Sequence, residues 1–134
     1  MRYLLDTNIC IYIANQKPAG VLARLEGLKP GDVGMSIITY LELVYGAWKS
    51  QRRETNLQRI QNLERIIPVL PLDTKAARHY GQMRAELQRK GAPIGAYDLL
   101  IAAHALSLGL TLVTNNAREF RRVPQLIVEN WAEE

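Results

Sequence analysis

The chain has 134 residues, of which 17 are Lys or Arg and 13 are Asp or Glu, so its formal net charge is +4. This length fits one domain over residues 1–134, which can bury a core without disulfides, and a lone cysteine, Cys10, excludes a disulfide framework and a cysteine-based zinc site. The early acid Asp6 and the short apolar runs exclude a secretory signal and a membrane span, so we expect a cytoplasmic protein without a membrane partner.

The first predicted strand covers residues 2–5, and its uncharged part, residues 3–5, is followed by Asp6, Thr7 and Asn8. A short uncharged run of this kind is typical of a buried strand in a parallel sheet, and such sheets bind ligands beyond the carboxyl ends of their strands. Burying an isolated ionised carboxylate costs more than the net stability of a domain, so Asp6 needs a partner, a proton or a cation. No Lys or Arg adjoins it. We expect Asn8 to cap the next helix.

The second predicted strand, residues 33–36, leads into an apolar segment that contains Glu42. Thr39 and Glu42 match a capping box, in which a Glu at the third helical position bonds back to the capping residue. Taken alone, this pattern explains Glu42 as part of a helix cap. Apolar residues then recur at helical spacing up to a third predicted strand, residues 67–70.

A further apolar stripe at helical spacing covers residues 76–87 and closes at the Gly- and Pro-containing segment 91–95. The helix that follows begins near Ala96, which puts Asp98 in its first turn. There the helix dipole favours a negative charge, so Asp98 can be explained as an ordinary helix-start acid. His104 lies off the helical face of Asp98, and we expect it to be structural rather than a general base.

The fourth predicted strand, residues 110–113, ends in the polar run 114–116, and a fifth covers residues 126–128. The alternation of strands with helix-like segments predicts an α/β fold with a parallel sheet. A parallel sheet can bring strand ends and the following helix starts to one edge, so Asp6, Glu42 and Asp98 would converge there and repel one another. Mg²⁺ or Mn²⁺ would relieve this repulsion, because hard cations prefer carboxylate oxygen, and bound water could then attack a phosphodiester.

The basic residues gather in three places, away from these acids. They are the segment 49–65, the group Arg84, Arg89 and Lys90, and the group Arg118, Arg121 and Arg122. Cations around an acidic centre suit a nuclease, in which they hold phosphates while carboxylates hold a metal. Each group can equally be explained as a solvated helix face.

Four motifs, in this order, resemble those of PIN-domain ribonucleases, and more narrowly those of the VapC toxins of bacterial toxin–antitoxin pairs. They are Leu5-Asp6-Thr7-Asn8, Thr39-x-x-Glu42-Leu43, Gly95-x-Tyr97-Asp98-x-x-Ile101-Ala102 and Leu112-Val113-Thr114-Asn115-Asn116-x-x-Glu119-Phe120. The resemblance extends over nearly the whole chain. It implies a PIN-domain fold, a parallel central sheet flanked by helices, with the acidic site at the carboxyl ends of the strands.

The resemblance also implies a function: a metal-dependent endoribonuclease in which Asp6, Glu42 and Asp98 hold Mg²⁺ or Mn²⁺. It implies a homodimer, a cognate VapB-type antitoxin that blocks the site, and structured RNA substrates such as tRNA. Enteric proteins of this type cut the initiator tRNA in its anticodon loop and so inhibit translation.

One position departs from the PIN-domain pattern. Asn116 stands where many members carry a fourth acid; it keeps an oxygen ligand but loses the charge. Glu119, one helical turn further on, either contributes through water or is a helix-start acid. Thr7 and Thr114 would orient the carboxylates through their hydroxyl groups.

Two other functions compete with the nuclease. A phosphatase or phospho-receiver also places an Asp after its first strand, but Asn8 cannot donate the proton that a dehalogenase-like phosphatase needs. A non-catalytic module that binds RNA or a protein partner through the basic faces stays open because of Asn116.

Overall fold

Five short parallel strands form the central sheet of the protein, for which a computed structural model describes residues 1–132. The strands are β1 (Tyr3–Leu5), β2 (Val33–Ser36), β3 (Val69–Leu70), β4 (Thr111–Val113) and β5 (Val128–Glu129). Their order across the sheet is β3-β2-β1-β4-β5, and each neighbouring pair is parallel. Leu5 pairs with Met35 and with Val113, so β1, β2 and β4 end close to the same edge.

Seven helices connect these strands within the described part of the chain. They are α1 (Thr7–Ala14), α2 (Ala19–Glu26), α3 (Ile37–Lys49), α4 (Arg53–Ile66), α5 (Thr74–Arg89), α6 (Ala96–Leu108) and α7 (Ala117–Phe120). The predicted α/β fold and all five predicted strands are confirmed. The prediction of one domain over residues 1–134 includes Glu133 and Glu134, which lie outside the described residues.

Four strands are shorter or shifted relative to the predicted bounds. The first begins one residue later, and β3, β4 and β5 differ because helix ends or turns take up the flanking residues. The N–H of Ile67 bonds to Leu63 O and ends α4, and the N–H of Leu110 bonds to Ala105 O and ends α6. Both residues are buried and apolar, as in a strand, but their backbone belongs to a helix terminus. The last strand begins two residues later than its predicted start and includes Glu129.

Side chains of β1 alternate between the two faces of the sheet, and both faces are covered. Leu4 packs in a cluster with α5 and α6, whereas Tyr3 and Leu5 pack in a second cluster with α1, α2 and α4. This explains why the strands contain no charged residue before the sheet edge. On the first face, α6 is buried on almost every side, and small residues such as Ala102 and Ala103 let it approach the sheet closely.

Two predicted helix caps were wrong. The Thr39–Glu42 capping box does not form, because α3 already begins at Ile37, with the Ser36 hydroxyl accepting from the N–H of Ile38 at 3.1 Å. Glu42 is therefore the sixth residue of a helix rather than a cap. Asn8 does not cap α1 either, since the Asp6 carboxylate takes that position.

His104 is buried in the core, as expected for a structural residue. Its Nδ1 lies 2.8 Å from the Ser36 hydroxyl at the start of α3, and burial lowers its pKa. No helix among residues 1–132 has the length and apolar character that crossing a membrane requires.

Candidate active site at the carboxyl edge of the sheet

Asp6 lies at the carboxyl end of the central strand and begins the helix that follows. Its N–H bonds to Val113 O at 2.9 Å, which continues the β1–β4 pairing, and its Oδ1 accepts from the N–H of Ile9 at 3.0 Å as the N-cap of α1. The side chain is only 5% exposed. One carboxylate oxygen is thus committed to the helix, and the group is fixed by backbone on both sides.

Burial is the largest influence on the charge of Asp6. It raises the pKa of this carboxyl from 3.8 to about 6, against the opposing effects of a hydrogen bond from the Thr114 hydroxyl and the bond from Ile9. The negative charge of Glu42 is a smaller cause of the same rise in pKa. Across residues 1–132, the sole ion pair joins Arg24 to Glu129, so no cation is paired with Asp6.

Glu42 reaches the site from α3 and is held there by a residue of α1. The Thr7 hydroxyl donates to its Oε1 at 2.7 Å, and Thr7 directly follows Asp6 in the chain. The hydroxyl–carboxylate bond expected for Thr7 is present, and the Thr114 hydroxyl lowers the pKa of Asp6.

Asp98 lies in the first turn of α6, as predicted, and is the carboxyl most affected by its neighbours. Partial burial is the main cause that raises its pKa to about 6. The charges of Glu119, Asp6 and Glu42 contribute to the same rise, in that order, followed by a further interaction with the Glu119 carboxyl group. Four acids from β1, α3, α6 and α7 therefore influence one another, which sequence spacing alone did not establish.

Asn116 and Glu119 form one unit at the start of α7. The amide Nδ2 of Asn116 donates to Glu119 Oε2 at 2.8 Å, and the backbone N–H of Asn116 donates to the Thr114 hydroxyl at 2.9 Å. With its nitrogen committed to Glu119, the Asn116 side chain has its carbonyl oxygen left as an acceptor. Glu119 is also an acid in the first turn of α7, as the helix-start explanation predicts.

The carboxylate and amide oxygens of this site are chemically suited to bind a hard divalent cation. Their side chains are not arranged as a complete coordination shell. Carboxylate and amide oxygens are the ligands that Mg²⁺ and Mn²⁺ prefer, and Cys10 is buried in the core. Within the described residues, however, no three Asp, Glu, His or Cys side chains converge tightly enough to hold an ion. The same carboxyl groups do act on one another electrostatically.

A chain of amides beside the acids was missed by sequence reasoning. Asn8 donates to Asn115 Oδ1 at 3.3 Å, and Asn115 Nδ2 donates to the Tyr12 hydroxyl at 2.7 Å. These bonds join α1 to the segment after β4, next to Asp6 and Thr114. The only sequence signal was the polar run after the fourth strand; nothing near Tyr12 indicated it.

Comparison with known proteins identifies the family. The family model described as "PIN domain" matches residues 3–126. The chain belongs to the PIN-domain family. It is 49% identical over 132 residues to the tRNA(fMet)-specific endonuclease VapC of Shigella flexneri, a match that covers 98% of this chain and 99% of that protein.

Solved structures agree with this PIN-domain fold. The structure of DNA-bound VapBC from Salmonella typhimurium matches with a TM-score of 0.92 and 46% identity, over 98% of each chain. That of VapBC2 from Rickettsia felis, bound to a promoter DNA fragment, gives 0.91 and 42%, over 98% of this chain and 99% of the other. The predicted resemblance to VapC-type PIN domains is confirmed.

Two clefts of this PIN domain are lined in part by Glu42. One, of about 440 Å³, lies between α3 and the start of α6. Its lining consists of Thr7, Leu41, Glu42, Tyr45, Gly46, Lys49 and Tyr97. The other, of about 360 Å³, lies among α1, α3 and α4 and joins a larger cleft of about 650 Å³ through Ala14, Asn15, Arg59 and Leu63. That larger cleft contains none of the acids, so its size alone does not mark the site.

Proposed function

We propose that this PIN domain is a Mg²⁺- or Mn²⁺-dependent endoribonuclease that hydrolyses phosphodiester bonds of RNA, as the toxin of a VapBC toxin–antitoxin pair. The observation that carries the proposal is the electrostatic coupling of Asp98 to Asp6, Glu42 and Glu119. Relatives named as ribonucleases and endonucleases support it.

Asp6, Glu42 and Asp98 are proposed as the metal ligands, with Asn116 and Glu119 at the fourth side of the site. A divalent ion, when bound, supplies a Lewis acid and a water of lowered pKa next to the scissile phosphate. The protein's part is positioning. Thr7 holds Glu42, Thr114 and the start of α1 hold Asp6, and the buried helix α6 holds Asp98.

A tRNA is the proposed substrate, with the initiator tRNA as the first candidate. The support is the name of the Shigella and Salmonella relatives, which are 49% and 47% identical to this chain. Cleavage in the anticodon loop would inhibit translation, because a cut tRNA cannot decode.

A VapB-type antitoxin is the proposed protein partner. The support is the set of similar structures, which are of VapBC complexes, and the groove made by the two joined clefts along α1 and α4. This groove has the apolar side chains Ile13 and Leu63, the cations Lys17 and Arg59, and Glu42 at its other end. A segment with apolar and acidic residues would match its lining and could end at the acidic site.

A homodimer is also proposed, through an apolar face on α3 and α6. Leu41, Tyr45 and Trp48 recur at helical spacing on α3 and are 40%, 64% and 52% exposed, and Tyr97 of α6 is 53% exposed. Exposed apolar patches of this kind mark protein contacts. The face shares Leu41, Tyr45 and Tyr97 with the cleft that reaches Glu42, so a second copy there would lie next to the acidic site.

The test is cleavage mapping on total RNA with the wild type, Asp98→Asn and Glu26→Gln, each with Mg²⁺, with Mn²⁺ and with EDTA. Glu26 is an exposed acid of α2 and serves as the control. We expect one or few tRNAs to be cut by the wild type and by Glu26→Gln, only with metal, and not by Asp98→Asn. Equal cleavage by all three proteins would refute the assigned site, and RNA binding without cleavage would favour the non-catalytic module.

A further inference from the structure

One edge of the protein next to the acidic site presents arginines without acidic partners. Ala117, Phe120 and Val123 are buried at a spacing of three, and the helical turn of α7 continues past Phe120, since Arg121 N bonds to Ala117 O and Arg122 N to Glu119 O. Between these buried positions, Arg118, Arg121 and Arg122 are exposed, whereas Glu119 is half-buried.

A fourth arginine lies beside them through the segment before α6. Arg122 Nη1 donates to Pro93 O at 3.3 Å, and Arg84 lines a small cleft together with Pro93 and Ala96. We call Arg84, Arg118, Arg121 and Arg122 the arginine edge. It borders the first turn of α6, which carries Asp98, and the helix α7, which carries Glu119.

The charge of the arginine edge is not neutralised within the described residues, where the single ion pair is Arg24–Glu129. Arg84 and Arg122 bond to neutral acceptors, the Tyr80 hydroxyl and the Pro93 carbonyl, which orient each guanidinium and leave most of its five N–H donors free. Three like charges within one turn repel one another. An anionic ligand would remove that repulsion.

We propose that the arginine edge binds the phosphate backbone of RNA where it approaches the acidic site. This inference rests on the proposed function and adds to it the surface that holds the substrate. Four acids repel a polyanion, so attraction for RNA must come from cations at the rim of the site. Guanidinium groups suit that task, since they bind phosphate oxygens in pairs.

The other basic cluster, at the end of α3, is less available for RNA. Arg53 stacks on Trp48 at 4.6 Å and its Nε donates to Trp48 O at 3.1 Å, while Lys49 lies 5.1 Å above the ring of Tyr45. These cations are bound to the exposed apolar face of α3. In the arginine edge, Arg84 lies over the ring of Tyr80 at 5.9 Å, whereas Arg118, Arg121 and Arg122 stack on none of the described aromatic rings.

The experiment compares four proteins in EDTA, where the proposed cleavage is off, by measuring tRNA affinity at several salt concentrations. They are the wild type, the edge variant R118Q/R121Q/R122Q, the α3 variant K49Q/R52Q/R53Q and the control R65Q/K75Q/R78Q, whose residues are exposed on α4 and α5. We expect the slope of log affinity against log salt to fall by about two to three in the edge variant alone. Melting curves check that each variant folds.

Two results would overturn the inference: an unchanged slope in the edge variant, or the same loss in the α3 variant instead. Cleavage by the wild type with Mg²⁺ or Mn²⁺ is scored separately. Cleavage together with an unchanged slope refutes the arginine edge alone. Binding without cleavage refutes the nuclease function, and the salt slopes of the variants then decide the role of the arginine edge. A wild type that binds no tRNA refutes both the nuclease function and that role.

Discussion

The Thr7 hydroxyl donates to Oε1 of Glu42 at 2.7 Å, although the two residues are 35 positions apart in the chain. Thr7 is the first residue of α1 and follows the buried Asp6, so this bond ties the carboxylate of α3 to the end of the central strand. Glu42 is half-buried and has no cationic partner among residues 1–132. Its place in the site therefore depends on a single neutral donor.

Replacing that donor should weaken cleavage without unfolding the protein. Thr7→Val keeps the shape of the side chain and removes the hydroxyl, and we expect RNA cleavage to fall by about 10- to 100-fold, the usual effect of losing a group that orients a metal ligand. Thr7→Ser should restore most of the activity. Initial rates across Mn²⁺ concentrations measure this; a Thr7→Val protein as active as Thr7→Ser would show that Glu42 needs no positioning.

The raised pKa of Asp6 predicts how stability depends on pH in the absence of metal. The folded carboxyl holds its proton up to about pH 6, whereas the unfolded one releases it near 3.8. Between these values the folded state binds more protons, so the free energy of unfolding should fall as pH rises from about 4 to 6 and level off above. The loss from Asp6 is roughly 2–3 kcal/mol.

Asp6→Asn removes the contribution of Asp6 to this dependence and leaves that of Asp98, whose pKa is also raised. The variant keeps a good helix cap, since Asn and Asp are similar at the N-cap position. In EDTA at pH 7.5 the variant should be more stable than the wild type, and at pH 4 the two should be nearly equal. Urea unfolding at several pH values measures both. A variant less stable than the wild type at pH 7.5 would contradict the destabilising charge.

Divalent ions should stabilise the wild type. An ion that binds only the folded state contributes about 2.7 kcal/mol at a concentration 100 times its Kd. We expect the melting temperature at pH 7.5 to rise with Mn²⁺ or Mg²⁺ in the wild type and in Glu26→Gln, and to rise less in Asp98→Asn. The same melting temperature with ion and with EDTA, at matched ionic strength, would argue against the site.

Restoring the fourth acid should strengthen metal binding and lower stability without metal. Asn116→Asp adds a charge and removes the amide donor that bonds Glu119 at 2.8 Å, leaving two carboxylates facing each other. We expect calorimetry to show tighter Mn²⁺ binding. In EDTA we expect a lower melting temperature, which corresponds to a loss of about 1 kcal/mol in the free energy of unfolding. Unchanged Mn²⁺ affinity would place Asn116 outside the metal site.

The apolar face of α3 gives a prediction about assembly. Tyr45→Glu puts a charge at its most exposed large side chain and should convert a dimer to a monomer, measured by light scattering. Ile127→Glu is a matched control, because Ile127 is equally exposed but lies outside this face. Dimers in both variants would exclude this face as the interface.

Elements whose positions depend mainly on burying apolar residues were predicted well from the sequence. Uncharged runs predicted all five strands, and the end of the first run placed Asp6 at the sheet edge. The start of α6 before Asp98 followed from the Gly and Pro residues ahead of it. These features depend on neighbours in the chain and on a generic need to bury apolar surface.

Helix caps, long-range hydrogen bonds and side-chain directions were harder to predict, because each depends on which of several possible partners is close in the folded chain. Both Ser36 and Thr39 can cap a helix, and Ser36 does so because β2 ends there, which leaves Glu42 inside the helix. The bonds of Asn115 to Asn8 and Tyr12 depend on contacts more than 100 positions apart. The outward direction of Arg118, Arg121 and Arg122 became clear only when Ala117, Phe120 and Val123 were seen to be buried.

Asp6 serves both as the cap of α1 and as the most buried acid of the site. This double role limits which residues can replace it. If the proposed cleavage were no longer selected for, replacements that remove the cap would still cost about 1 kcal/mol of stability, and the destabilised proteins would be degraded more readily. Surviving inactive copies should therefore carry Asn, Ser or Thr at this position more often than Ala or Val. The N-cap of α1 would then be retained after the proposed activity is lost.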